Sequence, residues 1–203
     1  MVAQGDTDGG VTELIRRWAD GDVRAGDRLF ALVYDELRAV ARLQRRRWNG
    51  DDTLDTTALV HEVYLRMSAS SGFSAHDRAH FYAVAARATR QILSNYARRQ
   101  RTQKRGSGMA PIDLERVTIP AGLDHDGAGT TLDRLWDLEV ALQQLQTVHP
   151  RPCQVVECRY FSGLSIPDTA IALGISEATV KRDWVMAQAW LHRKLRQHAP
   201  TDD

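Results

Sequence analysis

A pattern of residue types close to the C-terminal end of the sequence favours contact with DNA. Ala170, Gly174 and Val180 have the spacing of a helix-turn-helix: a small residue where two helices touch, a glycine that can take the turn, and an aliphatic anchor in the second helix. Ser165 and Ser176 can each cap the helix that follows, because a serine hydroxyl accepts a hydrogen bond from the first helical turn. The spacing therefore predicts two closely connected helices, the second of which enters the major groove of DNA.

Polar side chains on the outward N-terminal surface of that second helix would contact the DNA. Lysine and arginine can donate hydrogen bonds to guanine, and threonine can contact a phosphate or a thymine methyl group. The alternative is a plain helical hairpin whose polar face is only solvated. The candidate DNA contacts on this helix are Ser176, Glu177, Thr179, Lys181 and Arg182.

Basic charge is concentrated in one stretch, although the chain of 203 residues carries a formal net charge of only +1. Between Arg78 and Arg105 the sequence has eight basic residues and no acidic residue. Such a field attracts a polyanion, although a solvated helix face would carry the same charges. This stretch is therefore a second candidate for contact with nucleic acid.

The elements that must position these groups are predicted to be helices throughout. Apolar residues recur at three- and four-residue steps, and no alternation of apolar and polar residues is long enough to predict a strand. We expect breaks at the polar turn Asn49 to Asp55 and at the small-residue loop Ser68 to Asp77. Thr56 or Thr57 can cap the helix after the first break, and Asp77 the helix after the second. The predicted fold class is all-α.

A change of composition divides the chain into two predicted domains. Residues 106–130 contain five of the fourteen glycines, two of the six prolines and more acidic than basic residues, which is typical of a flexible linker. We therefore expect one helical domain over residues 11–105 and a helix-turn-helix domain over residues 131–197. A linker of about 25 residues spans several tens of ångströms, so the two domains could reach separate sites.

The sequence does not favour an enzyme, a metalloprotein or a membrane protein. His61 and Glu62 begin like a zinc-protease helix, but Leu65 stands where the second histidine would be. His76 and His80 stand four residues apart without a third ligand nearby in the sequence. No apolar run approaches the roughly 18 residues that a membrane span needs, and the first ten residues do not resemble a secretory signal. We expect a cytoplasmic protein with no membrane contact, no cofactor, no metal site and no catalytic residues.

Three segments resemble a known family when they are taken together. They are TALVHEVYLRM, HFYAVAARATRQILSNYARR and RYFSGLSIPDTAIALGISEATVKRDW, and they are similar to bacterial RNA polymerase sigma factors of the extracytoplasmic-function (ECF) group of the sigma-70 family. The resemblance covers residues from about Val11 to Leu195. It implies a sigma-2-like domain and a sigma-4-like domain in a sigma factor that binds core RNA polymerase, directs it to promoters and helps to melt DNA.

The resemblance implies a polymerase-binding segment in the helix after Thr56. Four residues match the family pattern for docking on the clamp helices of the largest polymerase subunit, and Glu62 is the best single candidate. In the family a second polymerase contact is made on the flap. The candidate polymerase-binding residues are Leu59, Val60, Glu62 and Leu65.

The basic helix that starts near Arg78 resembles the element that opens and holds the downstream (-10) promoter element. Arginine side chains can bind phosphates of the unpaired strand, and a flipped base can stack on an aromatic ring or pair with an amide. The candidate -10 contacts are Phe73, Arg87, Arg90, Gln91, Asn95 and Arg98.

The helix-turn-helix resembles the domain that reads the upstream (-35) element, and the match adds Arg159, on a phosphate, to the contacts above. Asp183 departs from the usual pattern: its carboxylate would repel phosphate unless it accepts a hydrogen bond from cytosine or pairs with Arg182. We therefore expect a -35 sequence different from the commonest one.

Two alternatives and one regulatory partner stay open at this point. The chain could be a helix-turn-helix regulator that binds an operator as a dimer, or an adaptor that uses its basic helix for RNA. Many ECF proteins are held inactive by an anti-sigma factor, but no residue of this sequence identifies such a partner. The sigma-factor interpretation accounts best for the N-terminal domain, since it gives that domain a partner in promoter DNA and core polymerase.

Overall fold

The computed structural model describes residues 4–48, 55–69, 75–105 and 132–197, and these ranges contain helices and no strands. The predicted all-α class is therefore confirmed for the described residues. The helices are α1 (Gln4–Ala19), α2 (Val23–Trp48), α3 (Thr56–Ala69), α4 (Arg78–Arg105), α5 (Leu132–Val148), α6 (Pro150–Val156), α7 (Ile166–Leu173) and α8 (Glu177–Gln197). A π-helical turn, Glu157–Phe161, continues α6.

Helices α1 to α4 pack around aromatic rings that all contact Phe30. The ring of Phe30 lies edge-on to Trp18, Tyr64 and Phe81, at centroid distances of 5.8, 4.6 and 5.9 Å. Each of these rings comes from a different helix, so one residue joins the four helices. Edge-to-face aromatic pairs add about 0.5–1.5 kcal/mol each beyond the area they bury.

The starts of α3 and α4 are set by aspartates. Asp77 caps α4 as predicted, since its Oδ1 accepts a hydrogen bond from the backbone N–H of His80 at 2.8 Å. The prediction for α3 is wrong by one residue. This helix already begins at Thr56, and the carbonyl of Asp55 accepts the first helical hydrogen bond from Leu59 at 2.9 Å, so Asp55 holds the capping position.

The predicted helix-turn-helix is present as α7 and α8. The hydroxyl of Ser165 accepts a hydrogen bond from the N–H of Asp168 at 3.1 Å, and that of Ser176 accepts one from Thr179 at 3.2 Å. Gly174 ends α7 with a φ of +62°, in the left-handed region that favours glycine. Val180 is fully buried between the two helices, as the spacing predicted.

The N-terminal half of the described chain (α1 to α4) packs against its C-terminal half (α5 to α8). Helix α4 contacts α5, the π-helical turn and α7, and the buried apolar side chains form one cluster with members from both halves. Gln44 of α2 is fully buried and donates a hydrogen bond to the carbonyl of Tyr160 at 2.6 Å. The predicted linker, residues 106–130, lies outside the described residues, so the domain division stays a prediction. No helix in the described ranges is both long and apolar enough to cross a membrane.

Candidate nucleic-acid interface

The N-terminal end of α8 presents the polar side chains that the sequence singled out. Ser176, Glu177, Lys181 and Arg182 are exposed, and Thr179 is half-buried. The hydroxyls of Ser176 and Thr179 lie 2.9 Å apart, which fixes both at the start of the helix. This end of α8 therefore offers two cations and two hydroxyls on the surface that a helix-turn-helix turns toward a DNA groove.

Asp183 does not belong to that surface. Its side chain is buried, and its carboxylate accepts two hydrogen bonds from Arg151, at 2.5 Å from Nε to Oδ2 and 3.2 Å from Nη2 to Oδ1. The hydrogen bond to Asp183 raises the pKa of Arg151. Both sequence expectations for Asp183, pairing with Arg182 or accepting from a base, are wrong. A bidentate pair joins α8 to the start of α6 and leaves Arg182 exposed.

Arg159 lies beside the same helix in the π-helical turn. Its guanidinium carbon is 5.1 Å from the centroid of the Trp184 ring, and burial lowers the pKa of this arginine. Its Nε atom has no hydrogen-bond partner among the described residues. The side chain of Arg159 stacks on the Trp184 ring, and it is half-buried next to α8.

A second polar face runs along α4. Arg87, Gln91, Asn95 and Arg98 recur at three- and four-residue steps and are all exposed, so they share one side of the helix. Gln91 is held in place, because its Oε1 accepts a hydrogen bond from Nε of Arg66 at 2.7 Å. Phe73, the candidate for base stacking, lies outside the described residues.

Arg90 was expected to contact DNA from this face of α4, but it is buried. Only 5% of its side chain is exposed, and its guanidinium is enclosed by carboxylates of the C-terminal half. Its Nε and Nη2 donate to Glu139 at 2.9 and 3.1 Å, and its Nη1 donates to Glu157 at 2.7 Å. In this conformation Arg90 cannot contact DNA, because the surface it would use is covered.

The charges around Arg90 balance. Burial works against the charged guanidinium, but the hydrogen bonds to Glu139 and Glu157 and the charge of Glu139 outweigh it and raise the pKa of Arg90. Nε of Arg87 lies 3.6 Å from the other oxygen of Glu157. Two arginines of α4 thus face two glutamates of the C-terminal half, along a cleft of about 330 Å³ that Gln91 and Asn95 also line.

The candidate polymerase-binding residues of α3 separate into two pairs. Leu59 and Val60 are each only 2% exposed and belong to the core, so their assignment as direct contacts is wrong. Glu62 is exposed, and Leu65 is 57% exposed. The alternation follows from helix geometry, because Leu59, Val60 and Val63 form the apolar stripe while Glu62 and Leu65 lie off it.

Several residues that complete these surfaces were not singled out by the sequence. Glu139 follows Leu138 within the apolar stripe of α5, and Glu157 follows two buried valines. An acidic residue among apolar ones was the sequence signal that could have identified both glutamates. Leu32 is 55% exposed and stands one residue off the apolar stripe of α2. Such misplaced residues indicate contacts beyond the local helix.

The two cysteines, Cys153 and Cys158, are packing residues. Both are free and buried. Burial raises the pKa of Cys153 to about 11 and that of Cys158 to about 12, so both thiols stay protonated at neutral pH. Within the described ranges, no group of three or more His, Cys, Asp or Glu side chains could hold a metal ion.

A family model matches most of this chain, and a solved structure of low sequence identity is similar to it. No curated protein matches the chain significantly. A solved structure, that of CnrH in complex with the cytosolic domain of CnrY, is similar with 20% sequence identity and a TM-score of 0.40, over 94% of this chain and 99% of that one. The family model described as "ECF sigma factor" matches residues 8–197. The chain therefore belongs to the ECF sigma factors, a family of transcription-initiation proteins.

Proposed function

We propose that this chain is a promoter-specificity subunit: it binds core RNA polymerase, recognises a -35 element through α8 and a -10 element through α4, and helps to melt the latter. The observation that carries this proposal is the exposed, cation-bearing N-terminal end of α8, set in a helix-turn-helix, in a member of the ECF family. The two polar surfaces lie on different helices of different halves of the chain. Two surfaces of this kind suit two separated promoter elements.

At the -35 element, Lys181 and Arg182 supply the donors for guanine acceptors or phosphates. Their exposure supports this role, because neither side chain is committed to the core. The pairing of Asp183 with Arg151 removes the repulsion that an acid beside the groove would create. Arg159, held over Trp184, would contact a phosphate at the edge of the same surface.

At the -10 element, the face of α4 offers cations for phosphates and amides for bases. Arg87 and Arg98 would hold the backbone of the unpaired strand, while Gln91 and Asn95 would donate to and accept from base edges. Phe73 keeps its proposed role as a stacking partner for a flipped base. Arg90 joins this face only when Glu139 and Glu157 move away from it.

On core polymerase, the exposed residues Glu62 and Leu65 of α3 form the contact. They are three residues apart and share one side of the helix, so an apolar side chain lies beside a carboxylate. This combination suits a helix of the clamp that presents a basic residue next to an apolar one. Leu59 and Val60 support the surface from below as core residues.

Transcription in vitro tests the proposal. Purified protein, bacterial core polymerase and sheared genomic DNA of the source organism are combined, and the 5' ends of the transcripts are sequenced. We expect discrete start sites that depend on the protein and share two upstream elements. Silence with core polymerase, together with sequence-specific and symmetric binding of DNA by the protein alone, would instead support the dimeric regulator.

Matched variants assign the DNA-binding surface of α8. Lys181→Ala should reduce transcription from promoters that depend on the -35 element, because one donor to DNA is lost. The control, Arg193→Ala, removes the same charge from an exposed site of the same helix, about 18 Å away by the rise of 1.5 Å per residue. An equal loss in both variants would argue for a general charge effect and against the assignment.

A charge reversal on α3 tests polymerase binding separately. Glu62→Lys should weaken capture of core polymerase by the immobilised protein, because it replaces the attractive charge with a repulsive one. Glu13→Lys makes the same change at an exposed position of α1 and should leave capture unchanged. If both variants captured polymerase as the unaltered chain does, α3 would not be the docking helix.

A further inference from the structure

The contact between the two halves of the chain is made by the same arginines that α4 would offer to DNA. Arg90 donates three hydrogen bonds to Glu139 and Glu157, and Arg87 lies 3.6 Å from Glu157. The two glutamates stand 49 and 67 residues further along the chain than Arg90, in the half that carries the helix-turn-helix. A guanidinium group takes a carboxylate and a phosphate in the same bidentate geometry.

We propose that Glu139 and Glu157 act as an internal substitute for DNA phosphate: they bind Arg90 and Arg87 in the free protein and close the C-terminal half over α4. Phosphates of a promoter strand would compete for these guanidinium groups, and the two halves would then separate. The proposal depends on the proposed function for the ligand of α4, but the closed contact itself can be tested without DNA.

The ion pairs that join the two halves are buried. The side chains of Arg90, Glu139 and Glu157 are 5, 9 and 6% exposed, so removing one partner leaves the others desolvated and unpaired. Such a network is weak evidence for stability, because apolar residues in its place are often as stable or more so. A phosphate can, however, replace a carboxylate as the partner of a guanidinium group, whereas it could not compete with an apolar contact.

A second contact fixes how the halves meet. The amide of Gln44 donates to the carbonyl of Tyr160 at 2.6 Å, while the amide itself is fully buried. Tyr160 lies in the π-helical turn that also supplies Glu157. Turns of this kind, inserted in a helix, often occur at functional sites. Gln44 carries no charge and is no candidate DNA contact, so its substitution weakens the closed state without altering α4.

The first test measures the size of the full chain in solution by small-angle X-ray scattering. A compact chain of 203 residues has a radius of gyration of about 17 Å. We expect the double variant Glu139→Gln/Glu157→Gln to have a larger radius than the unaltered chain, with an unchanged helical circular dichroism. Gln44→Met should shift the radius in the same direction, and it serves if the double variant does not fold.

The second test measures affinity for a fluorescein-labelled single-stranded 15-mer of mixed sequence by anisotropy. If the closed form is about 90% populated, opening it raises the apparent affinity about tenfold. The control is Glu13→Gln/Asp35→Asn, which removes two exposed acidic charges on α1 and α2 and should not reproduce this gain. It separates opening from the general effect of charge.

Each outcome decides between the possibilities. A larger radius with a gain of affinity beyond that of the control supports the proposal. An unchanged radius in both variants overturns it, whatever the affinity. A larger radius without a gain overturns the competition with DNA, and it also counts against α4 as the strand-binding helix. Transcription that depends on the unaltered chain would still support the proposed function, so the two can fail independently.

Discussion

Substitution of Gly10 and of Gly174 by alanine should change the free energy of unfolding in opposite directions. Around both Gly10 and Gly174, an added Cβ atom would meet nothing within 4 Å. Gly10 lies inside α1, whereas Gly174 ends α7 with a φ of +62°. Since no clash occurs at either site, the backbone conformation alone determines the sign of the effect.

The magnitudes follow from that difference. An L-residue in the left-handed region costs about 1–2 kcal/mol, and the lower entropy of the unfolded chain returns about 0.4–1 kcal/mol. We therefore expect Gly174→Ala to lower the free energy of unfolding by about 1 kcal/mol. Gly10→Ala should raise it by about 0.5–1 kcal/mol, because alanine is the better helix former. Gly174→Asn should lie between the unaltered chain and Gly174→Ala, because asparagine tolerates the left-handed region better.

Thermal unfolding followed by circular dichroism measures these changes. For a chain of this size, 1 kcal/mol corresponds to a shift of about 2–4 °C in Tm. If the two halves unfold in separate transitions, the shift of Gly174→Ala belongs to the C-terminal one. Shifts in the same direction for both alanine variants, or a stabilising effect of Gly174→Ala, would refute the assignment of the turn.

Three further outcomes are expected. Leu59→Ala should cost about 2–5 kcal/mol of unfolding free energy in urea titrations, because it leaves a cavity, while Leu65→Ala should stay within about 0.5 kcal/mol and weaken polymerase capture instead. Burial, together with the charge of His76, lowers the pKa of His80. Below pH 6.5, the ordinary pKa of histidine, the unfolded chain therefore binds more protons than the folded chain does. Tm should fall as the pH drops through 6.5 toward the lowered pKa, and it should fall less steeply in His80→Gln. Cys153 and Cys158 should react with a thiol reagent at neutral pH only after denaturation, since burial raises their pKa values to about 11 and 12; rapid labelling of the folded chain would contradict their burial.

The features that the sequence predicted correctly depend on neighbouring residues. Asp77, Ser165 and Ser176 cap the helices that directly follow them, and Gly174 takes the left-handed turn that its position between two helices requires. These interactions span a few residues, so the local pattern contains them. The all-helical class and the helix-turn-helix follow from the same short-range signals.

The features that the sequence did not predict depend on distant partners. Arg90 looked like one more exposed cation of a basic helix, but its partners stand 49 and 67 residues away. Asp183 pairs with Arg151 rather than with its neighbour Arg182. Leu59 matched the family pattern as a contact, while the packing of α2 against α3 buries it. In each case the tertiary contact decided the exposure of the side chain, and no local spacing contains that contact.

The closed contact between the halves also orders events during synthesis of the chain. Helices α1 to α4 share the aromatic cluster around Phe30, and all of its rings are present once Arg105 has been made. At 5–20 residues per second the ribosome adds Glu157 about 3 to 10 seconds later. During that interval the nascent chain carries the basic helix without the two carboxylates that cover it in the finished molecule. Glu139 and Glu157 are therefore made after the arginines that they cover. Each newly made chain passes through an open state before its two halves first close.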